Sequence, residues 1–99
     1  MNSLIARLRR FRDERGWDKF HSPKNLAVSV SIEAAELLEL FQWSSNGDLD
    51  PERSKNDVAA EAADVIIYAL MILDKYGLDP EVEINKKIDA NAVKYPKII

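Results

Sequence analysis

The 99-residue sequence predicts an all-α chain of four helices. Three observations predict it. A capping side chain precedes a proline three times, at Ser22-Pro23, Asp50-Pro51 and Asp79-Pro80. A proline at the first helical position forfeits no intrahelical bond, and its φ suits a helix. Gly16, Gly47, Gly77 and Pro96 supply matching stops. Between these marks apolar residues recur at helical spacing, and no alternating strand pattern competes. Helices are expected over residues 3–15, 23–43, 51–76 and 80–94, in one domain spanning 1–99.

The first helix carries an apolar stripe of Leu4, Ile5, Leu8 and Phe11. The second carries Leu26, Val30, Leu37, Leu40 and Phe41, with Val28, Ile32 and Leu38 elsewhere around its circumference. The third carries Val58, Ala62, Val65, Ala69, Ile72 and Tyr76, with Ile67, Leu70 and Met71 on other faces. A helix apolar nearly all round is buried nearly all round. One chain of this length has too few helices to cover both middle ones. A homodimer or homotetramer is therefore expected, completing a bundle across its interface.

Composition narrows the function classes. With 46% hydrophobic and 31% charged residues, the chain is unlike a disordered one. It has no cysteine, which removes disulfides and thiol chemistry. No apolar run approaches the ~18 residues of a membrane span. Residues 1–20 hold five arginines and no apolar core, unlike a secretory signal, so a cytoplasmic protein is expected. The net charge of −3 is uneven: residues 1–25 balance to +4 and residues 26–99 to −7. The acidic part argues against a nucleic-acid partner. The basic stretch RLRRFRDER reads as a solvated helix face that could meet a phosphate.

The stretch SIEAAELLELF, residues 31–41, places Glu33, Glu36 and Glu39 within a core-type helix. No Lys or Arg occurs between Lys24 and Arg53, so none lies within helical reach. At ~100° per residue Glu33 falls inside the apolar stripe, Glu36 beside it, and Glu39 toward solvent. The third helix repeats the device in EAADVIIY, where Glu61, Asp64 and Tyr68 share one face. Buried, unpaired carboxylates cost several kcal/mol or take up a proton. A wet cleft between the helices would relieve them, as would a cation. With no cysteine and one histidine, hard oxygen ligands suit Mg²⁺, or Mn²⁺ as a substitute. The alternative is that these are solvated surface acids.

Mg²⁺ held by carboxylates commonly completes its shell with water and phosphate oxygens. That points to a phosphorylated substrate. On the fourth helix Lys87, Asn91 and Lys94 lie at i, i+4 and i+7. They could grip phosphates, or form an ordinary basic helix end favoured by the macrodipole. Trp17, Phe20 and His21 gather before the second helix, and Trp43 closes it. Such aromatics could stack a nucleobase or simply pack the core, and a lone histidine often makes only a local hydrogen bond.

Taken together, these residues resemble the MazG-like all-α nucleoside triphosphate pyrophosphohydrolases, particularly the small branch that includes dCTP pyrophosphatases. The resemblance runs from about Phe11 to Pro96. It rests on Glu33-Ala34-Ala35-Glu36, on Glu61-Ala62-Ala63-Asp64, and on the segments W-x-x-F-H-x-P-x-N, ELFQW and N-x-x-K-Y-P. The resemblance implies that Glu33, Glu36, Glu61 and Asp64 bind Mg²⁺ and carry catalysis. It implies phosphate contacts from Lys87, Asn91, Lys94 and Tyr95, with Tyr68 near the sugar or phosphate. Trp17, His21 and Trp43 would form the base pocket, in part across a subunit interface. The implied reaction releases pyrophosphate and a nucleoside monophosphate. Many members have two adjacent glutamates where this chain has Ile32-Glu33, which leaves the number of metal ions open. A phosphoribosyl-ATP-type hydrolase and a non-catalytic helical nucleotide-binding module are the alternatives.

Overall fold

In the computed structural model, which describes residues 1–98, four α-helices follow one another: α1 Asn2–Glu14, α2 Pro23–Glu39, α3 Lys55–Lys75 and α4 Pro80–Lys94. A 3₁₀ turn, Asp18–Phe20, lies between α1 and α2, and no strand occurs among the described residues. Residue 99, the end of the expected domain, lies outside them.

Two of the three proline signals act as expected. The Ser22 hydroxyl accepts from the Asn25 N–H at 3.1 Å, and Asp79 Oδ1 accepts from the N–H groups of Glu81 and Val82 at 2.9 and 3.2 Å. The third does not start a helix. Asp50 and Pro51 instead form a turn in which the Arg53 N–H reaches the Asp50 carbonyl. α3 begins four residues later than expected, where Ser54 and Asp57 form a capping box and Asp57 Oδ2 accepts from the Ser54 N–H at 2.8 Å. The reciprocal cap satisfies two orphan donors, which Asp50 before a proline cannot match. α2 also ends earlier than expected, at Glu39, where Leu40 and Phe41 make tighter i→i−3 bonds and the Asp50 N–H returns to the Leu40 carbonyl. Gly16 and Gly77 end α1 and α3 with positive φ, whereas Gly47 sits in the α2–α3 loop and caps no helix.

α2 and α3 pack side by side along most of their length, and α1 lies across α3. The start of α2 meets the end of α3, so the pair is antiparallel: His21 faces Tyr68, and Lys75 bonds Asp18 at 2.6 Å. α1 is clamped to α3 by Arg9, whose guanidinium grips both oxygens of Asp74. Arg12 lies between Asp13, Asp18 and Asp74. Ile5, Leu26, Leu40, Leu70 and Met71 form the buried core. Leu70 and Met71, expected outside the main stripe of α3, are its most buried residues, on a helix that both α1 and α2 contact. Tyr76, expected inside the stripe, is exposed.

α4 touches α3 but buries only Pro80. Ile84, Ile88 and Val93 remain exposed along it, as do Ile32 and Leu38 on α2. The chain is accordingly open. Its radius of gyration is 16.3 Å, against about 13 Å for a compact chain of this length. It exposes 7720 Å², where a compact monomer of its mass would expose about 5700 Å².

Candidate metal centre and adjoining cavity

The antiparallel pairing of α2 and α3 sets one acidic motif opposite the other. Glu33, Glu61 and Asp64 each present a carboxylate oxygen within 4.8 Å of the other two. Glu36 lies within hydrogen-bonding reach of both Glu33 and Glu61. All four side chains are half-buried, and Glu39 is exposed as expected. None of the four forms an ion pair among the described residues.

The electrostatics follow from that crowding. A hydrogen bond to Glu36, then burial, then the charges of Glu36, Asp64 and Glu61 push the Glu33 carboxyl up to about 6. Burial, the hydrogen bond to Glu36 and the neighbouring acids raise Glu61 as well. Oε2 of Glu33 and Oε2 of Glu61 are buried without a hydrogen-bond partner. Buried acceptors ordinarily find partners. Acceptor-only oxygens converging from two helices fit a hard divalent cation, which would replace the shared protons.

Beside this cluster lies a cavity of about 470 Å³, with Asp64 in its wall. One side is an edge-to-face run of rings: Phe11 to Trp17 at 5.6 Å, Trp17 to His21 at 6.2 Å, and His21 to Tyr68 at 6.4 Å. Burial, then the charges of Lys75 and Arg12, lower the His21 pKa and favour its neutral form. Its Nδ1 is buried and unpartnered. Burial and the charges of Glu33 and Asp64 raise Tyr68, keeping its hydroxyl protonated.

The chain thus brings together Glu33, Glu36, Glu61 and Asp64, with Trp17, His21 and Tyr68 alongside. It does not bring in the others. Trp43 is 82% exposed beyond the end of α2. Lys87, Asn91, Lys94 and Tyr95 lie on or just past α4, and no hydrogen bond or ion pair joins them to the acids among the described residues. The α1 wall of the cavity, formed by Leu4, Arg7 and Leu8, has no counterpart among the predicted site residues. Its signal was the apolar stripe of α1, which reads equally well as core.

Known proteins are similar to the chain in sequence and in fold. The MazG-like family model matches residues 28–98. Human dCTP pyrophosphatase 1 is 34% identical over 90 residues, covering 87% of this chain and 53% of that protein. The Bos taurus dCTP pyrophosphatase 1 is 32% identical over the same length. The chain therefore spans about half the length of the curated relatives it matches. A pyrophosphatase of known crystal structure from Archaeoglobus fulgidus is 47% identical, with a TM-score of 0.83 over 98% of this chain and 93% of that one. The two acidic motifs facing each other across α2 and α3, the extent of the model match and the shared fold agree: the chain belongs to the MazG-like family.

Proposed function

We propose that the chain is a metal-dependent nucleotide pyrophosphohydrolase, cleaving a nucleoside triphosphate to the monophosphate and pyrophosphate. The carrying observation is that Asp64 belongs both to the converging acids and to the wall of the aromatic cavity. A cation site and a pocket of ligand size are thereby continuous, since such pockets run from about 300 to 1,000 Å³. The dCTP pyrophosphatases and the archaeal pyrophosphatase support the reaction class. The proposed substrate is a deoxynucleotide such as dCTP, or a modified nucleotide.

Glu33, Glu36, Glu61 and Asp64 would hold Mg²⁺, with Mn²⁺ as a substitute. Bound there, the ion would neutralise charge on the phosphate oxygens. The chain's own residues do the rest. Glu36, between Glu33 and Glu61, takes a proton from the attacking water. The water oxygen bonds to the α-phosphorus, the bond from that phosphorus to the bridging oxygen breaks, and pyrophosphate leaves. Trp17, His21 and Tyr68 hold the base and sugar. Lys87, Asn91, Lys94 and Tyr95 bind the phosphates, and Trp43 covers the pocket, from a neighbouring copy in a homodimer or homotetramer. The open shape of the single chain supports that assembly.

Glu33→Ala and Asp64→Ala test the assignment. Each is expected to reduce turnover by more than the roughly 10–100-fold typical of outer partners of metal sites. Far-UV circular dichroism should stay unchanged. Wild-type turnover in either variant would show that the acids are not the site.

A further inference from the structure

The cavity beside the acids has one permanently charged donor in its wall, Arg7. Three of the neighbouring arginines are engaged elsewhere, and Arg10 does not line the cavity. Arg9 holds Asp74, and Arg12 holds Asp13 and Asp18. Arg15 donates to the Phe11 carbonyl at 3.0 Å and covers the Phe11 ring at 3.6 Å. Arg7 makes no hydrogen bond or ion pair among the described residues. It sits between Leu4 and Leu8 on the face of α1 that lines the cavity. The one acid in that wall, Asp64, belongs to the carboxylate cluster with Glu33 and Glu61.

We infer that Arg7 reads the nucleobase, selecting an edge that carries two adjacent hydrogen-bond acceptors. This rests on the reading that the phosphates lie at the acids and the base enters the cavity. A guanidinium is donor-only, with a planar fork that fits two neighbouring acceptors. O2 and N3 of cytosine form such a pair, as do O6 and N7 of guanine. Adenine offers an acceptor beside an amine on each edge. Uracil and thymine place an N–H between their carbonyls. Neither matches the fork with both arms. The other polar groups of the wall complement the assignment. His21, whose Nδ1 is buried and unpartnered, and the Tyr68 hydroxyl can accept from an exocyclic amine, which cytosine carries beside N3 and uracil lacks. Leu4, Leu8, Phe11 and Met71 supply only apolar contact, so they hold a ring without choosing one.

The test is calorimetric binding of the non-hydrolysable α,β-methylene analogues of dATP, dCTP, dGTP and dUTP to the full chain with Mg²⁺. Wild type should favour the cytosine or the guanine analogue by about tenfold or more over the adenine and uracil ones, the range expected of a bidentate base contact. Which of the two it favours identifies the edge read. Arg7→Ala and Arg7→Lys should both erase the preference, because lysine keeps the charge and loses the fork. Affinity for the adenine and uracil analogues should barely move. Three results would overturn the inference: an unchanged preference in Arg7→Ala, equal weakening of all four analogues with rescue by Arg7→Lys, or no base preference in wild type. The second result would make Arg7 a phosphate clamp. Product analysis with hydrolysable triphosphates is scored separately. An Arg7-dependent preference without monophosphate formation would leave base reading in place and remove the pyrophosphohydrolase reaction.

Discussion

Glu33 shows how one residue ties stability to metal. Its carboxyl is shifted from an ordinary 4.5 up to about 6 by its bond to Glu36, by burial and by the acids around it. Because the folded value lies above the unfolded one, the folded state binds the extra proton. Stability from this group is full below about pH 4.5 and is lost as pH rises through about 6. The metal-free protein should therefore show a falling Tm across that window. A divalent cation replaces the proton, so Mg²⁺ or Mn²⁺ should raise Tm more at pH 7.5 than at pH 5, as read by scanning calorimetry. Glu33→Gln should flatten the pH dependence, raise the metal-free Tm and remove the metal-induced increase. An unchanged response to metal in that variant would place the ion elsewhere. The acids were legible in the sequence because E-x-x-E and E-x-x-D set their helical phase, and the absence of nearby cations marked them. Arg7 was legible only as the first residue of a basic stretch that could meet a phosphate. Whether the Leu4–Leu8 stripe faces packed core or cavity depends on where α1 crosses α3, a tertiary fact that helical periodicity does not contain.

At the scale of elements, the number, type and order of the helices follow from caps and periodicity, whereas the α2–α3 connection does not. Two helix starts competed there, Asp50-Pro51 and the Ser54–Asp57 box, and both satisfy local rules. The box prevailed because two side chains and two backbone donors are satisfied together, while Asp50 turns back toward the end of α2. Asp57→Ala should lower stability by about 1 kcal/mol, the usual worth of an N-terminal cap. For a domain of this size that is a Tm decrease of ~4–8 °C. Pro51→Ala should cost far less, since that residue lies outside the helix. Equal losses in the two variants would mean that α3 starts at Pro51 after all. The pairing of α2 with α3 is the element-level event that makes the site: it turns two intrahelical acid pairs into one cluster.

At the scale of the molecule, the apolar surplus read from α2 and α3 reappears as surface. The chain exposes roughly 2000 Å² more than a compact monomer would, and α4 contributes Ile84, Ile88 and Val93 to it. That excess is of the order buried by each partner in a large, permanent interface. Sedimentation should give a mass at least twice the 11.3 kDa of one chain, and Ile88→Asp or Leu38→Asp should dissociate it. A wild-type monomer would contradict the assembly and leave Lys87 and Lys94 without a route to the acids. The proposed reaction is hydrolysis at the α-phosphorus beside Glu33, Glu36, Glu61 and Asp64. The most direct measurement is turnover of a triphosphate panel in ¹⁸O-labelled water, with Mg²⁺ and then with EDTA. Attack at the α-phosphorus should give metal-dependent release of pyrophosphate, with one labelled oxygen in the monophosphate. Label in pyrophosphate or inorganic phosphate, diphosphate as the product, or full activity in EDTA would contradict it.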